Sequence, residues 1–242
     1  MNQATSKVVD SGPMDVEGTG TGRSAKPDGP RFWQQVVLLV RRDLAVEAAT
    51  REASATVPPL ILAGLLLAGL GFELPPESLA VLAPGLVWLL VLTAAVPLAR
   101  SLLAAERDDD AWDLLRALTS PSALLAGKAT TLCLLLWLAW GFGGVLALAL
   151  LEAQWSVAAV LAAAVAMPGV AVNVTVYGVL MAEQRRPALL TTLVLTAGLP
   201  ALVAGSQVAA TEQTGPWFVL LGVYDLVAIV TAWAVFPTLL DT

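Results

Sequence analysis

The feature that most constrains this chain is a series of six apolar segments, at about 56–72, 79–103, 128–151, 155–181, 188–209 and 217–238. Crossing the hydrocarbon of a bilayer takes roughly 20 apolar residues, with a range of about 17–25. Backbone N–H and C=O groups find no water at that depth, so each segment is expected to be helical. Of the 242 residues, 57% are apolar and only 13% charged. A soluble domain carries about 25% charged residues. The balance excludes a soluble globular domain and a disordered chain. The fold class expected is an all-α membrane protein with six transmembrane helices.

The N-terminal region differs in kind. Residues 1–30 are rich in Gly, Ser, Thr, Pro and Asp and lack apolar periodicity, so they read as a disordered tail. No apolar stretch follows their basic residues, which argues against a signal peptide. Over 31–54, Phe32, Val36, Val40 and Leu44 recur every four positions, with Trp33 and Val37 beside them. Arg41, Arg42, Asp43, Glu47, Arg51 and Glu52 supply a polar side. Such a segment is too charged to span. It suits an amphipathic helix at the membrane surface, with packing on a partner protein as the alternative. The domain plan is thus a tail (1–30) followed by one six-span unit (31–242).

Charge distribution sets the expected topology. Lys and Arg are retained on the cytoplasmic side of short loops. Lys7, Arg23, Lys26, Arg31, Arg41, Arg42 and Arg51 precede the first span. Arg100, Arg107, Arg116 and Lys128 lie in or beside the second connection, and Arg185 and Arg186 in the fourth. These are all 13 basic residues. The first, third and fifth connections carry only Glu73, Glu77, Glu152 and Glu212. Six spans with both termini in the cytoplasm satisfy this division. Ser120-Pro121 offers an N-cap and an N1 proline before the third span, and Pro187 and Pro216 do so for the fifth and sixth. Trp155 and Trp217 stand at span ends, where an indole favours the headgroup region, and Pro168 and Pro200 fall inside spans.

Chemistry has few places to reside. The chain has no histidine and one cysteine, Cys133, so no intrachain disulfide or thiolate zinc site forms. No G-x-x-x-x-G-K-[ST] phosphate loop occurs, and GTGTGRS (18–24) lacks its lysine. No catalytic or metal-binding residue is assigned, and no nucleic acid is expected. The longest insertion between spans runs over 104–128. There Asp108, Asp109 and Asp110 begin a short helix, where the dipole favours negative charge. Trp112, Leu115 and Leu118 form its apolar face, flanked by Asp113 and Arg116. It reads as a coupling helix that docks a cytosolic motor, or as an interfacial helix with an acidic cap. Within the spans, Asp225 is an ionisable group in an apolar setting and hence a functional candidate. It is expected one or two turns below the outer surface. Asn173 and Thr175 are candidates for interhelical hydrogen bonds.

The stretch LAPGLVWLLVLTAAVPLARSLLAAERDDDAWDLLRALTSPSALLAGK (82–128) resembles the haem exporter B subunit (CcmB) family of the cytochrome c maturation system. The likeness rests on Ala83, Pro84, Gly85 and Trp88 of an APG-x-x-W motif at the start of span two. It continues through the acidic run Glu106–Asp110, Leu114 and Leu115, Pro121 and Lys128. It extends more weakly into 167–205. Departures are Ala111 in place of a glycine, Pro187-Ala188 in place of a Gly-Gly, and a single proline, Pro200, in span five.

The resemblance implies an ABC-2-type permease without its own ATPase domain, in the cytoplasmic (inner) membrane. Its partners would be a cytosolic ATPase (A subunit), a haem-handling C subunit, a small D-type subunit and a second permease copy. Hydrolysis in the A subunit would drive release of haem-loaded chaperone, and this chain would relay movement rather than act as an enzyme. Haem would be handled by the complex. No direct ligand is assigned here, since Met167, Met181 and Cys133 read as packing residues. Two other readings stay open: an ABC-2 exporter of another lipid-like substrate, and a secondary transporter that uses Asp225.

Overall fold

The structure, a computed structural model, describes residues 31–71, 73–107, 119–183 and 187–240. Every regular element among them is an α-helix: α1 (Phe32–Thr50), α2 (Glu52–Gly71), α3 (Pro76–Arg107), α4 (Pro121–Leu151), α5 (Val157–Glu183), α6 (Pro187–Ala210) and α7 (Gly215–Leu240). Helices α3 to α7 each hold a stretch long and apolar enough to cross a membrane. Helices α1 and α2 together form one more such stretch, bent by 73° at their junction. The chain is therefore an all-α protein of the multi-pass membrane type.

Local chemistry explains where the helices start and stop. Ser120 Oγ accepts a hydrogen bond from the Ala123 N–H (3.3 Å), and Pro121 occupies the first turn. Both act as helix-start signals. This start lies seven residues ahead of the expected 128, so Lys128 sits about two turns inside α4 rather than at its mouth. At 1.5 Å per residue, α3 and α4 are about 45–48 Å long, well beyond a hydrocarbon core of about 30 Å. The surface helix expected over 31–54 stops at Thr50. Arg51 adopts the left-handed conformation (φ 54°), its N–H still bonds the Glu47 carbonyl at 2.8 Å, and α2 restarts at Glu52. Glu152 closes α4 in the same way, with φ 53°.

Helix α3 is the centre of the bundle and touches α2, α4, α5 and α6. Its seam with α6 runs antiparallel and is built on small residues. Gly85 faces Ser206, Trp88 lies over Gly205, and Leu92 fills the space at Gly198. A Cβ at Gly198 would come within 2.7 Å of Leu92 Cδ2, and one at Gly205 would strike the Trp88 indole. Elsewhere Leu90 enters the notch at Gly64 of α2, and Leu103 that at Gly178 of α5. Lipid tails are as apolar as leucine, so helices in a bilayer associate through close packing rather than hydrophobic expulsion. Missing side chains are what allow the approach. Helix α7 is outermost and packs on α5 and α6 through Leu221, Ala228, Ala232 and Phe236.

This seam predicts a contrast between two equal changes. Gly205→Ala is expected to destabilise the detergent-solubilised protein by about 1–3 kcal/mol, the usual range for overpacking. Gly222→Ala, which meets nothing within 4 Å, is expected to leave the thermal midpoint unchanged.

Candidate functional site: an anchored helix at the base of the bundle

The amphipathic pattern of α1 sets Phe32, Val36, Val40 and Leu44 on one apolar face, expected toward the membrane surface or a partner protein. The row turned into the bundle is Val36, Leu39 and Asp43, while Phe32, Trp33, Val37 and Leu38 are exposed. A charge pair lies on the inward row. Asp43 Oδ2 lies 3.0 Å from Lys128 Nζ of α4, and the two side chains are only 5% and 2% exposed. Lys128 Nζ also donates to the Leu102 carbonyl of α3 at 3.3 Å. One ammonium therefore joins three helices. Two turns into α4, Lys128 is almost wholly buried, and a buried ammonium calls for an anion beside it.

Neighbouring contacts reinforce the joint. Leu39 lies against Gly127, where a Cβ would come within 2.9 Å of the Leu39 Cβ. Leu39 shares a small apolar core with Leu124 and Leu125 of α4, Val179 of α5, and Ala232 and Phe236 of α7. One turn after Asp43, Glu47 Oε2 accepts a hydrogen bond from Ser101 Oγ of α3 (3.0 Å). Thus α1 is pinned to α3 and α4 by polar contacts one helical turn apart. The segment between α3 and α4 departs at Arg107 and returns at Thr119, within about two to three turns of the pair.

A second polar seam lies deeper, between α5 and α7. Pro168 has no N–H to give to the Ala164 carbonyl, which breaks the regular ladder of α5. In the next residue, the Gly169 N–H donates to Asp225 Oδ1 at 3.0 Å. One turn further along α5, Asn173 Nδ2 donates to Tyr224 Oη at 3.1 Å. Asp225 stands ten residues after Gly215, about 15 Å into α7. Gly169 is required at this point: a Cβ would collide with the Asp225 carboxylate and the Tyr224 ring. Thr175 makes no bond between helices and instead donates to the Ala171 carbonyl of its own helix (2.8 Å). Trp155 stands in the connection between α4 and α5. Its indole N–H folds back onto the Gly144 carbonyl (3.1 Å), with its ring edge-on to Trp140.

The structure assigns packing roles to Pro84, Gly85 and Trp88. All three lie on α3, and Trp88 is fully buried against α6. Asp108, Asp109, Asp110, Trp112, Asp113, Leu115 and Arg116 lie outside the described residues. Among the described residues, no group of three histidine, cysteine or carboxylate side chains could hold a metal ion. Asp43, Lys128, Glu47 and Ser101 were not expected as a unit. The available signal was Lys128 itself, a cation too far past Pro121 to remain unpaired in an apolar helix. In comparisons with known proteins, the chain matches no protein-family model and no curated protein.

Breaking a buried ion pair strands the surviving charge, which typically costs about 3–5 kcal/mol. Lys128→Met alone is therefore expected to destabilise strongly. Adding Asp43→Leu should recover most of the loss, because neither charge then remains. Thermal unfolding of the two single variants and the double variant measures this. Additive losses would contradict the pairing.

Proposed function

We propose that this chain is the permease subunit of an ABC transporter complex, acting in cytochrome c biogenesis in the cytoplasmic membrane. In this reading the 104–122 segment is the coupling element that receives a separate cytosolic ATPase. The observation that carries it is the triple joint at Lys128. A force-receiving segment is useful only if both of its ends are fixed to rigid parts. Here α3, which leads into the segment, and α4, which leads out of it, are tied together and to α1 by one buried ammonium. A push on the segment would thus move α1, α3 and α4 as a unit.

Six crossings with both termini in the cytoplasm complete the reading. The bent α1–α2 pair then supplies a surface helix followed by the first crossing. Every Lys and Arg falls on the cytoplasmic side. The haem assignment rests on the resemblance of 82–128 to the haem exporter B subunit family. The chain itself performs no covalent step. Rearrangement in the membrane follows ATP hydrolysis in the partner and releases haem-loaded chaperone from the accompanying C and D-type subunits. Asp225, engaged by the Gly169 N–H, serves here to hold α5 to α7.

Co-purification from native membranes tests the coupling. Asp109→Lys, Trp112→Ala and Leu115→Glu are each expected to lower ATPase recovery by about tenfold or more, as for interface anchors. Recovery unaffected by all three defeats the assignment. Depletion of the chain is expected to abolish covalent haem attachment in c-type cytochromes, and normal attachment would contradict the haem role. Asp225→Asn keeps an oxygen acceptor for Gly169 and is expected to preserve activity. Its complete loss would favour an ion-coupled transporter instead.

A further inference from the structure

Asp225 is the one acidic or basic residue of α7. It lies about 15 Å into the helix, near the middle of a hydrocarbon core of about 30 Å. Its carboxylate accepts the Gly169 N–H, and this is its one hydrogen bond among the described residues. A backbone N–H fills one of about four lone-pair positions and brings no positive charge. Helices α5, α6 and α7 contain no lysine or arginine. Lys128, the cation of α4, faces Asp43 and the Leu102 carbonyl instead. Among the described residues, nothing balances the charge of Asp225.

The carboxylate also stands at an open flank. Asp225 is half-buried, between an inward row of Leu221, Ala228 and Ala232 and an exposed ridge of Gly222, Leu226, Ile229 and Trp233. The ridge residues recur at helical spacing and so line one side of α7. A side chain at Gly222 would meet nothing within 4 Å, so no contact inside this chain calls for a glycine there. Glycine in a helix costs about 1 kcal/mol relative to alanine. On the outside of a membrane bundle it leaves a notch that lets a second backbone come close. Gly222 precedes Asp225 by three residues, so the notch and the carboxylate are neighbours on the helix surface.

Ionisable groups inside a membrane are costly and pair with one another. Lipid head groups stay at the surface, about 15 Å from this depth, so a matching charge has to arrive on a span. We propose that α7 docks a transmembrane helix of a different protein, one that carries a lysine or arginine at mid-membrane depth, its cation paired with Asp225 and its backbone close to Gly222. A second copy of this chain has no cation on α5, α6 or α7 to offer. The pairing rests on α7 crossing the bilayer, and not on the ATPase or on what is transported.

Two synthetic single-span peptides of leucine and alanine test this, one with lysine at its midpoint and one with methionine there. Each is reconstituted with the full chain in phosphatidylcholine nanodiscs, and the complexes are counted by native mass spectrometry. The central position makes the assay independent of peptide orientation, and the absence of any ATPase makes it independent of the transport reading. The wild type is expected to retain the lysine peptide about tenfold better, the worth of one charge-assisted hydrogen bond. Asp225→Asn keeps an acceptor for Gly169 but removes the charge, and it should erase that preference. Gly222→Ile should weaken retention of the lysine peptide by closing the notch, while Val227→Ile, exposed but off the ridge, should leave it unchanged. Equal retention of the two peptides by the wild type overturns the proposal. So does an undiminished preference in Asp225→Asn. Displacement of the lysine peptide by a second copy of the chain would assign the face to self-association and overturn the foreign partner.

Discussion

A single buried ammonium, Lys128 Nζ, organises the base of this molecule. It faces the Asp43 carboxylate on one side and the Leu102 carbonyl on another. Both side chains are almost wholly buried, so removing either partner leaves a buried charge short of its counter-charge. That dependence does more for geometry than for net stability. An apolar substitute of similar size would hold the helices about as well, but it would accept many rotations of α1. The ion pair accepts one. It places Val36 and Leu39 inward and leaves Trp33, Val37 and Leu38 outside.

The rest of the bundle is assembled by a different rule. Along α3, bulky side chains enter notches left by glycine: Leu90 at Gly64, Trp88 at Gly205, Leu92 at Gly198 and Leu103 at Gly178. In water such contacts would be secondary to hydrophobic burial. In lipid they are the main source of affinity between helices. Polar bonds are sparse and local by comparison. Asp225 and Tyr224 meet Gly169 and Asn173 where a proline has interrupted α5. The two modes divide the labour, with close packing holding the spans and paired polar groups fixing register at the base and at the proline break.

Much of the architecture was legible in the residues. Apolar run length announces the long helices, and Ser120-Pro121 marks the start of α4. What could not be read was partnership across helices. Asp43 belongs to the polar side of α1 by periodicity alone, and only a distant lysine makes it an inward residue. The need for glycine at Gly205 likewise lies in the Trp88 ring, more than 100 positions away. Thr175 and Asn173 are equally suited by type to bond between helices. Only Asn173 finds a neighbour on α7, and Thr175 bonds its own backbone. Sequence periodicity reports which face is apolar, whereas the identity of the facing atoms is settled by the fold.

The position of α1 against the foot of α4 is the claim on which the coupling account stands, and cross-linking addresses it most directly. Leu39→Cys and Gly127→Cys, combined in a Cys133→Ser background, place two Cβ atoms about 2.9 Å apart, so an outward shift of about 1 Å brings them to the separation of about 3.5–4.5 Å that a disulfide needs. Mild oxidation in native membranes should join them nearly completely, while Leu38→Cys with Gly127→Cys should remain unjoined. Failure of the first pair to join, or equal yields from both, would show that α1 does not rest where Asp43 and Lys128 place it.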